Sequence, residues 1–180
     1  MDKTETPTIS GRPEEGEYAA YQKADIALVP GNSAVTALEA SAQQTLELLG
    51  NIDEGKIDYR YAPDKWTIRQ IVGHLIDDER IFVCRALCVA RGEQQSLPGF
   101  DENDYVRQAG FEDRPWAGLL AEYLSVREAT LTFFQGITGH IWLRRGTVTD
   151  YTASVRGLAF HIAAHELHHL RVMRERYLTD

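Results

Sequence analysis

The sequence predicts an all-α fold: an antiparallel up-and-down four-helix bundle with a long loop between the second and third helices. Three observations favour this fold. Apolar residues recur every three or four positions in four long stretches, capping and glycine signals bound those stretches, and no segment shows a convincing strand pattern. Helices that are apolar on one side bury those sides against one another in a bundle.

The first bundle helix is predicted to begin after Asn32 or Ser33, since either side chain can cap it, and to end near Gly50. Its apolar stripe has helical spacing and consists of Val35, Leu38, Ala42, Leu46 and Leu49.

The second helix is predicted to follow a cap at Asp64 or Thr67 and to run to about Ala90, where Gly92 ends it. A long loop then continues to Pro115, rich in charged and turn residues and long enough to form the rim of a site.

The third helix is predicted over 116–135 with Gly136 as its stop, and the fourth from about 152–154 to Tyr177. The segment 142–149 has no clear pattern. Neither long helix contains a proline that would interrupt it.

The length of 180 residues fits one domain, and we expect a flexible tail at 1–15 followed by a single domain at 16–180. Acidic residues outnumber basic ones by 27 to 19, for a formal net charge of −8, which argues against nucleic acid and anionic membranes as partners. No apolar run reaches the roughly 20 residues that span a bilayer, and the N-terminus has no apolar signal core. We therefore expect a cytoplasmic protein.

The predicted last helix contains four of the six histidines: His161, His165, His168 and His169. Residues four apart lie one above the other on a helix, so His165 and His169 direct two imidazoles toward one point. In a helical projection this pair lies at the centre of an apolar arc, with His161 at its edge and His168 beyond it. We prefer the pair His165 and His169 as metal ligands, and His161 is an alternative ligand. If His161 is not a ligand, it and His168 are expected in supporting or surface positions.

A third ligand must come from elsewhere in the chain, and His74 is better placed than His140 because it can point between helices. Three histidines with an open fourth position are typical of catalytic zinc sites. Asp78, one turn after His74, can orient an imidazole or act as a base. The alternatives are a hydrogen-bonded structural role for His74 and an ion pair of Asp78 with Arg85 or Arg127.

The stretch from His165 through Glu166 to His169 has the spacing of a zincin helix. Glu166, however, lies about 100° around the helix from His165, and no strand is predicted that would align a peptide. We therefore expect no proteolysis. Cys84 lies about 15 Å along the helix from His74, so Cys84 and Cys88 are expected to pack rather than to share the ion.

Most of these residues lie in short motifs that follow one another in a specific order. The motifs are Arg12-Pro13 with Glu17-Tyr18-Ala19, Tyr61-Ala62-Pro63-Asp64-Lys65-Trp66-Thr67-Ile68, Gly73-His74-Leu75-Ile76-Asp77-Asp78-Glu79-Arg80, Leu97-Pro98-Gly99-Phe100-Asp101, Val126-Arg127, and His165-Glu166-Leu167-His168-His169 with Glu175-Arg176-Tyr177. Through them the chain resembles the DinB-like (DinB/YfiT) superfamily of metal-dependent four-helix-bundle proteins.

This resemblance covers most of the chain and implies an up-and-down bundle, commonly a homodimer. It implies a divalent metal held by one histidine of the second helix and two of the last, which fall on His74, His165 and His169 here. Related members include isomerases and transferases that use low-molecular-weight thiols. The resemblance implies no DNA binding.

We therefore expect a metal-dependent enzyme, with zinc or nickel as the ion, that acts on a small-molecule substrate. A hydrolase and a low-molecular-weight-thiol transferase or isomerase are both compatible with such a site. Residues 100–114 are expected to border the substrate. The alternative is a noncatalytic, dimeric metal-binding or small-molecule-binding bundle related to stress response, which a closed site with Asp78 as fourth ligand would favour.

Overall fold

The computed structural model describes residues 11–178; residues 1–10 and 179–180, and with them most of the predicted tail, lie outside this part. The described part contains seven α-helices, a two-stranded sheet and short 3-10 turns. The α-helices are α1 (Lys23–Ile26), α2 (Ala34–Gly50), α3 (Glu54–Ile57), α4 (Ile68–Arg91), α5 (Glu102–Gln108), α6 (Trp116–Gln135) and α7 (Val155–Arg176). The four long helices are the predicted bundle helices. None of the helices in residues 11–178 is long and apolar enough to cross a membrane.

Capping residues bound the long helices close to the predicted positions. At the start of α2, the Ser33 hydroxyl accepts a hydrogen bond from the Thr36 N–H at 3.2 Å. At the start of α4, Thr67 and Gln70 form a reciprocal capping box. Gly92 ends α4 at φ 84°, a left-handed conformation that glycine adopts without steric strain.

The α4 and α6 helices run in the same direction. Arg69, at the start of α4, donates to the carbonyl of Arg114, just before α6, at 2.7 Å. Farther along both helices, Arg80 pairs with Glu122 at 2.6 Å. Contacts that advance together along two helices require those helices to be parallel.

The α2 and α7 helices are also parallel, because their first halves share one apolar cluster and their last turns share another. The chain therefore runs up, down, down and up, so the predicted strict alternation is wrong. Hydrophobic periodicity identifies a helix but carries no information about its direction. The connection at 92–115, predicted as a loop, contains α5 and a 3-10 turn and returns the chain to the start of α6.

A β-hairpin interrupts the otherwise helical chain. Strands β1 (Arg145–Val148) and β2 (Tyr151–Ser154) pair antiparallel, with Thr149 in the turn at φ 51°. The N–H of Leu97 donates to the carbonyl of Thr147 at 2.9 Å, which joins the α4–α6 connection to the hairpin. The all-α prediction omits this hairpin because its four-residue strands are too short to give a clear period.

The N-terminal segment is joined to the bundle by charged side chains. Arg12, within the segment predicted as a tail, donates to the carbonyl of Val29 at 2.5 Å. Glu17 is buried and accepts from Arg156 Nε at 2.5 Å and from the Ser154 hydroxyl at 2.9 Å. Arg12 and Glu17, on either side of the predicted boundary, therefore both contact the rest of the described chain.

Two apolar clusters fill the two ends of the bundle, and a buried polar layer separates them. One cluster contains Phe82, Phe134 and Phe160, and the other contains Ile68, Leu119 and Met173. In the layer, Arg127 of α6 pairs with Glu79 of α4 at 2.8 Å and with Glu166 of α7 at 2.9 Å. This layer lies at the same level of the bundle as the predicted site.

Candidate metal centre

The candidate ligands lie where α4 and α7 pack against each other in opposite directions. His74 and Asp78 lie one turn apart on α4, and His161, His165 and His169 lie at one-turn intervals on α7. Residues one turn apart project from the same side of a helix. Antiparallel packing therefore brings the two series side by side.

Three imidazoles converge through their Nε2 atoms. The His165 Nε2 lies 3.0 Å from the Nε2 of His74 and 3.0 Å from the Nε2 of His169. One ligand atom from each of the three lies within 4.8 Å of the others. Nitrogens that bind one Zn²⁺ at about 2.0–2.1 Å are separated by similar distances. The residues therefore fit a divalent ion.

Asp78 contacts the opposite edge of His165, where its Oδ2 lies 3.1 Å from Nδ1. A carboxylate at Nδ1 favours the tautomer that carries its proton there, which leaves the Nε2 lone pair free to bind a metal. The same carboxylate oxygen lies 3.7 Å from the Nε2 of His161. Asp78 thus orients His165 from behind rather than joining the three Nε2 atoms.

The surroundings also set the protonation of the imidazoles. Burial, reinforced by the nearby His165, lowers the pKa of His74 to about 3. Burial likewise holds the pKa of His169 well below its ordinary value. For His165, burial acts to lower the pKa, but attraction to Asp78 outweighs it and raises the pKa. His74 and His169 are therefore neutral near pH 7, which is the form of histidine that binds a metal.

A cavity of about 470 Å³ opens onto the three histidines. Trp66 forms one wall and lies against His74, with ring centroids 4.7 Å apart. Most of the other large side chains in the walls are aromatic, and they come from the N-terminal segment, α4, the α4–α6 connection and the hairpin: Tyr21, Phe82, Arg85, Phe100 and Tyr151. Pockets of about 300–1,000 Å³ with aromatic walls are typical of small-molecule sites.

The sequence profile of the DinB superfamily matches residues 37–173, a span that includes all three histidines. This chain belongs to the DinB superfamily. The predicted family is therefore confirmed. No curated protein matches this DinB superfamily member by sequence.

Among solved structures, YfiT from Bacillus subtilis resembles this DinB superfamily protein with a TM-score of 0.73 and 18% sequence identity. The match covers 94% of this chain and 93% of the YfiT chain. YfiT is described as "a probable metal-dependent hydrolase with an unusual four-helix bundle topology". At this level of identity, the likeness shows that the two proteins share a fold.

The other two histidines of α7 lie outside the group of three in this DinB superfamily member. His168 points toward α1, where its Nδ1 lies 3.0 Å from the Oδ1 of Asp25. His161 is buried against Phe82, with ring centroids 3.9 Å apart. Both nevertheless line the cavity.

Glu166 and Arg127 have partners that the sequence did not identify. Glu166 faces the buried polar layer, where it accepts hydrogen bonds from Arg127, the Thr45 hydroxyl and the Tyr123 hydroxyl. Arg127 pairs with Glu79 and Glu166, so the ion pair of Asp78 with Arg127, considered from the sequence, does not form. These partners depend on α6, whose position in the bundle the sequence pattern does not determine.

The walls of the cavity were only partly predicted. Of the expected border at 100–114, Phe100 and Glu102 line the cavity. Trp66 lies in one of the motifs of the family resemblance, but its contact with His74 could not be read from the sequence. No sequence pattern indicated that Tyr151 lines the cavity, because Tyr151 reaches the site through the unpredicted hairpin.

Proposed function

We propose that this protein is a metal-dependent hydrolase that binds one divalent ion through His74, His165 and His169. Zinc or nickel is the ion we propose, because imidazole nitrogens suit both metals. The substrate is a small molecule that enters the cavity above the histidines. YfiT, which shares the fold, is itself described as a probable metal-dependent hydrolase.

The observation that carries this proposal is the open side of the histidine group. The group contains three histidines, and its Nε2 atoms border a cavity of about 470 Å³. Asp78 contacts His165 at Nδ1, on the far edge of the ring, and so does not close the group as a fourth ligand. Catalytic zinc sites combine three protein ligands with an open position, whereas structural sites are closed.

Other residues around the histidines orient the ligands and form the walls of the cavity. Asp78 fixes the tautomer and orientation of His165, and Trp66 packs against the ring of His74. The aromatic walls provide apolar surface for the substrate. A divalent ion at this position supplies Lewis-acid activation of water or of a thiol.

A second candidate is a low-molecular-weight-thiol transferase or isomerase. The size of the cavity favours this second candidate, because a volume of about 470 Å³ accommodates a thiol cofactor or an electrophilic substrate as well as water. The two candidates share the same metal site and differ only in the nucleophile.

The first test is elemental analysis of untagged protein. We expect about one divalent ion per chain in the wild type, and loss of that ion in His169→Ala. His140→Ala is the matched control, because His140 is exposed and lies outside the group of three. Equal metal content in the wild type and His169→Ala would overturn the proposed site.

The second test separates the two chemistries. The metal-loaded protein is assayed against simple esters and amides, and in parallel against electrophiles in the presence of a low-molecular-weight thiol. Hydrolysis that is lost in His169→Ala and retained in His140→Ala supports the hydrolase. Turnover that requires the thiol supports the second candidate instead.

A further inference from the structure

We propose that Arg85 forms an anion-binding subsite in this cavity and that the substrate carries a carboxylate group. The inference that the bound anion belongs to a substrate rests on the hydrolase function proposed above. The subsite itself rests on the burial, contacts and position of Arg85, which do not depend on the metal.

Arg85 is a buried cation without a matching anion. The residue is 7% exposed, yet among residues 11–178 no carboxylate lies within 4.0 Å of its guanidinium nitrogens. Its Nη2 donates to the carbonyl of Pro98 at 2.7 Å, and its Nε is buried without a hydrogen-bond partner in the described part of the chain. A buried charge left unpaired is costly, and an anionic ligand would remove that cost.

The guanidinium lies over two aromatic rings that also line the cavity. Its Cζ is 4.6 Å from the ring centroid of Phe82 and 5.6 Å from that of Phe100. Contacts with the two rings stabilise the guanidinium, and its Nε–H, which has no partner within residues 11–178, is left for a ligand. The fork of N–H donors in a guanidinium matches the two oxygens of a carboxylate.

The position of Arg85 on α4 separates this subsite from the histidines. Asp78 and Arg85 are seven residues apart, which is about 10 Å along a helix. Both line the same cavity. A substrate bound to both regions therefore carries its carboxylate several bonds away from the group that reacts, with an apolar segment between them against the aromatic walls.

The acidic residues around the cavity leave Arg85 available. Asp78 contacts His165, and Asp25 contacts His168. Glu102 lines the cavity but is exposed and forms no ion pair with Arg85. One unpaired guanidinium matches a singly charged carboxylate better than a doubly charged phosphate.

The test is calorimetric titration of the full-length protein with 3-phenylpropanoate, with its primary amide and with phenyl phosphate. We expect the wild type to bind the carboxylate about tenfold or more tightly than the amide, as for charge-assisted hydrogen bonds. Arg85→Leu should abolish this preference. Arg80→Leu is the matched control, because it removes one positive charge from the same helix outside this cavity. If Arg85→Leu fails to fold, Arg85→Gln removes the charge but keeps a donor for Pro98.

A carboxylate preference that persists in Arg85→Leu, or is absent from the wild type, would overturn the subsite. Tighter binding of phenyl phosphate than of the carboxylate would overturn the choice of carboxylate. His169→Ala separates this proposal from the previous one. A preference kept in His169→Ala supports Arg85, and a preference lost in His169→Ala but kept in Arg85→Leu shows the carboxylate on the ion. If the wild type contains no metal but the preference is present, the hydrolase fails and the subsite stands.

Discussion

Asp78 is the residue whose removal most directly tests how the histidines are oriented. Its carboxylate lies at the Nδ1 edge of His165, while the Nε2 of the same ring faces the other two histidines. Burial acts to raise the pKa of Asp78, but His165 and His161 outweigh it and hold that pKa well below its ordinary value. The carboxylate therefore stays ionised beside Nδ1 of His165, where it favours a proton on that nitrogen.

We predict that Asp78→Asn weakens metal binding by roughly 10–100-fold, the usual effect of removing a carboxylate behind a ligating histidine. The measurement is competition with a chromophoric chelator. Asp77→Asn is the matched control, because Asp77 lies next to Asp78 but points toward Arg80. Unchanged affinity in Asp78→Asn would show that His165 is oriented by its packing alone.

At the scale of single residues, the sequence predicted the side chains whose direction follows from helical geometry. The four-residue spacing of His165 and His169, with the position of His74 on a facing helix, favoured the three imidazoles that lie close together in the structure, and the family resemblance implied the same three. The role proposed for Arg85 was not predicted, because two of its contacts, Pro98 and Phe100, lie in the α4–α6 connection. Side-chain environments that depend on a loop are not encoded in the period of a helix.

Among the elements, α4, α6 and α7 are joined through one buried guanidinium. Arg127 contacts Glu79 and Glu166, and all three side chains are 2–3% exposed. Burying an ion pair is costly, and removal of one partner leaves the other charges uncompensated in the core. The polar layer therefore fixes the relative positions of the three helices at the level of the histidines.

We predict that Arg127→Met lowers the free energy of unfolding by about 3–5 kcal/mol, because two carboxylates remain buried without a cation. Arg80→Met is the matched control: its ion pairs are half-exposed, so its loss should cost no more than about 1 kcal/mol. Urea denaturation followed by circular dichroism measures both variants. Similar losses in the two variants would contradict the role given to the layer.

The N-terminal segment and the hairpin are joined to α7 by Glu17. Burial acts to raise the pKa of Glu17, but hydrogen bonds from Arg156 and Ser154 outweigh it and lower that pKa below its ordinary value of 4.5. A carboxyl group with a lowered folded-state pKa stabilises the fold above its unfolded-state pKa. That stabilisation is lost as the pH falls through the folded-state value.

We predict that Glu17→Gln lowers the free energy of unfolding by about 1–3 kcal/mol at pH 7. The difference from the wild type should shrink as the pH falls below about 4.5, and it should vanish below the folded-state pKa, where the wild-type carboxyl is also neutral. Unfolding curves from pH 7 to pH 3 measure this difference. Glu14→Gln is the control, because Glu14 is exposed and lies as far as 4.0 Å from Arg156, the same arginine. A difference that stays constant with pH would rule out the charge as its cause.

For the whole molecule, the sequence predicted four helices and their approximate ends but not their directions. The apolar stripes require that the helices pack, and they fit an alternating bundle as well as the observed up, down, down, up order. The connection at 92–115 allows the parallel arrangement of α4 and α6, because it is long enough to return along the bundle. This arrangement leaves α4 and α7 antiparallel, which is the pairing that brings the histidines together.

The proposed ion would join α4 to α7 near the middle of the bundle, so metal binding should stabilise the whole fold. A ligand that binds only the folded state at 100 times its Kd adds about 2.7 kcal/mol, which is roughly 5–10 °C in Tm for a domain of this size. We predict such a rise when zinc is added to chelator-treated wild type, and the same rise in His140→Ala. His169→Ala should show little or none. An equal rise in Tm for His169→Ala would mean that zinc stabilises the protein from another position. The stabilising ion would then not be one that the three histidines hold between α4 and α7.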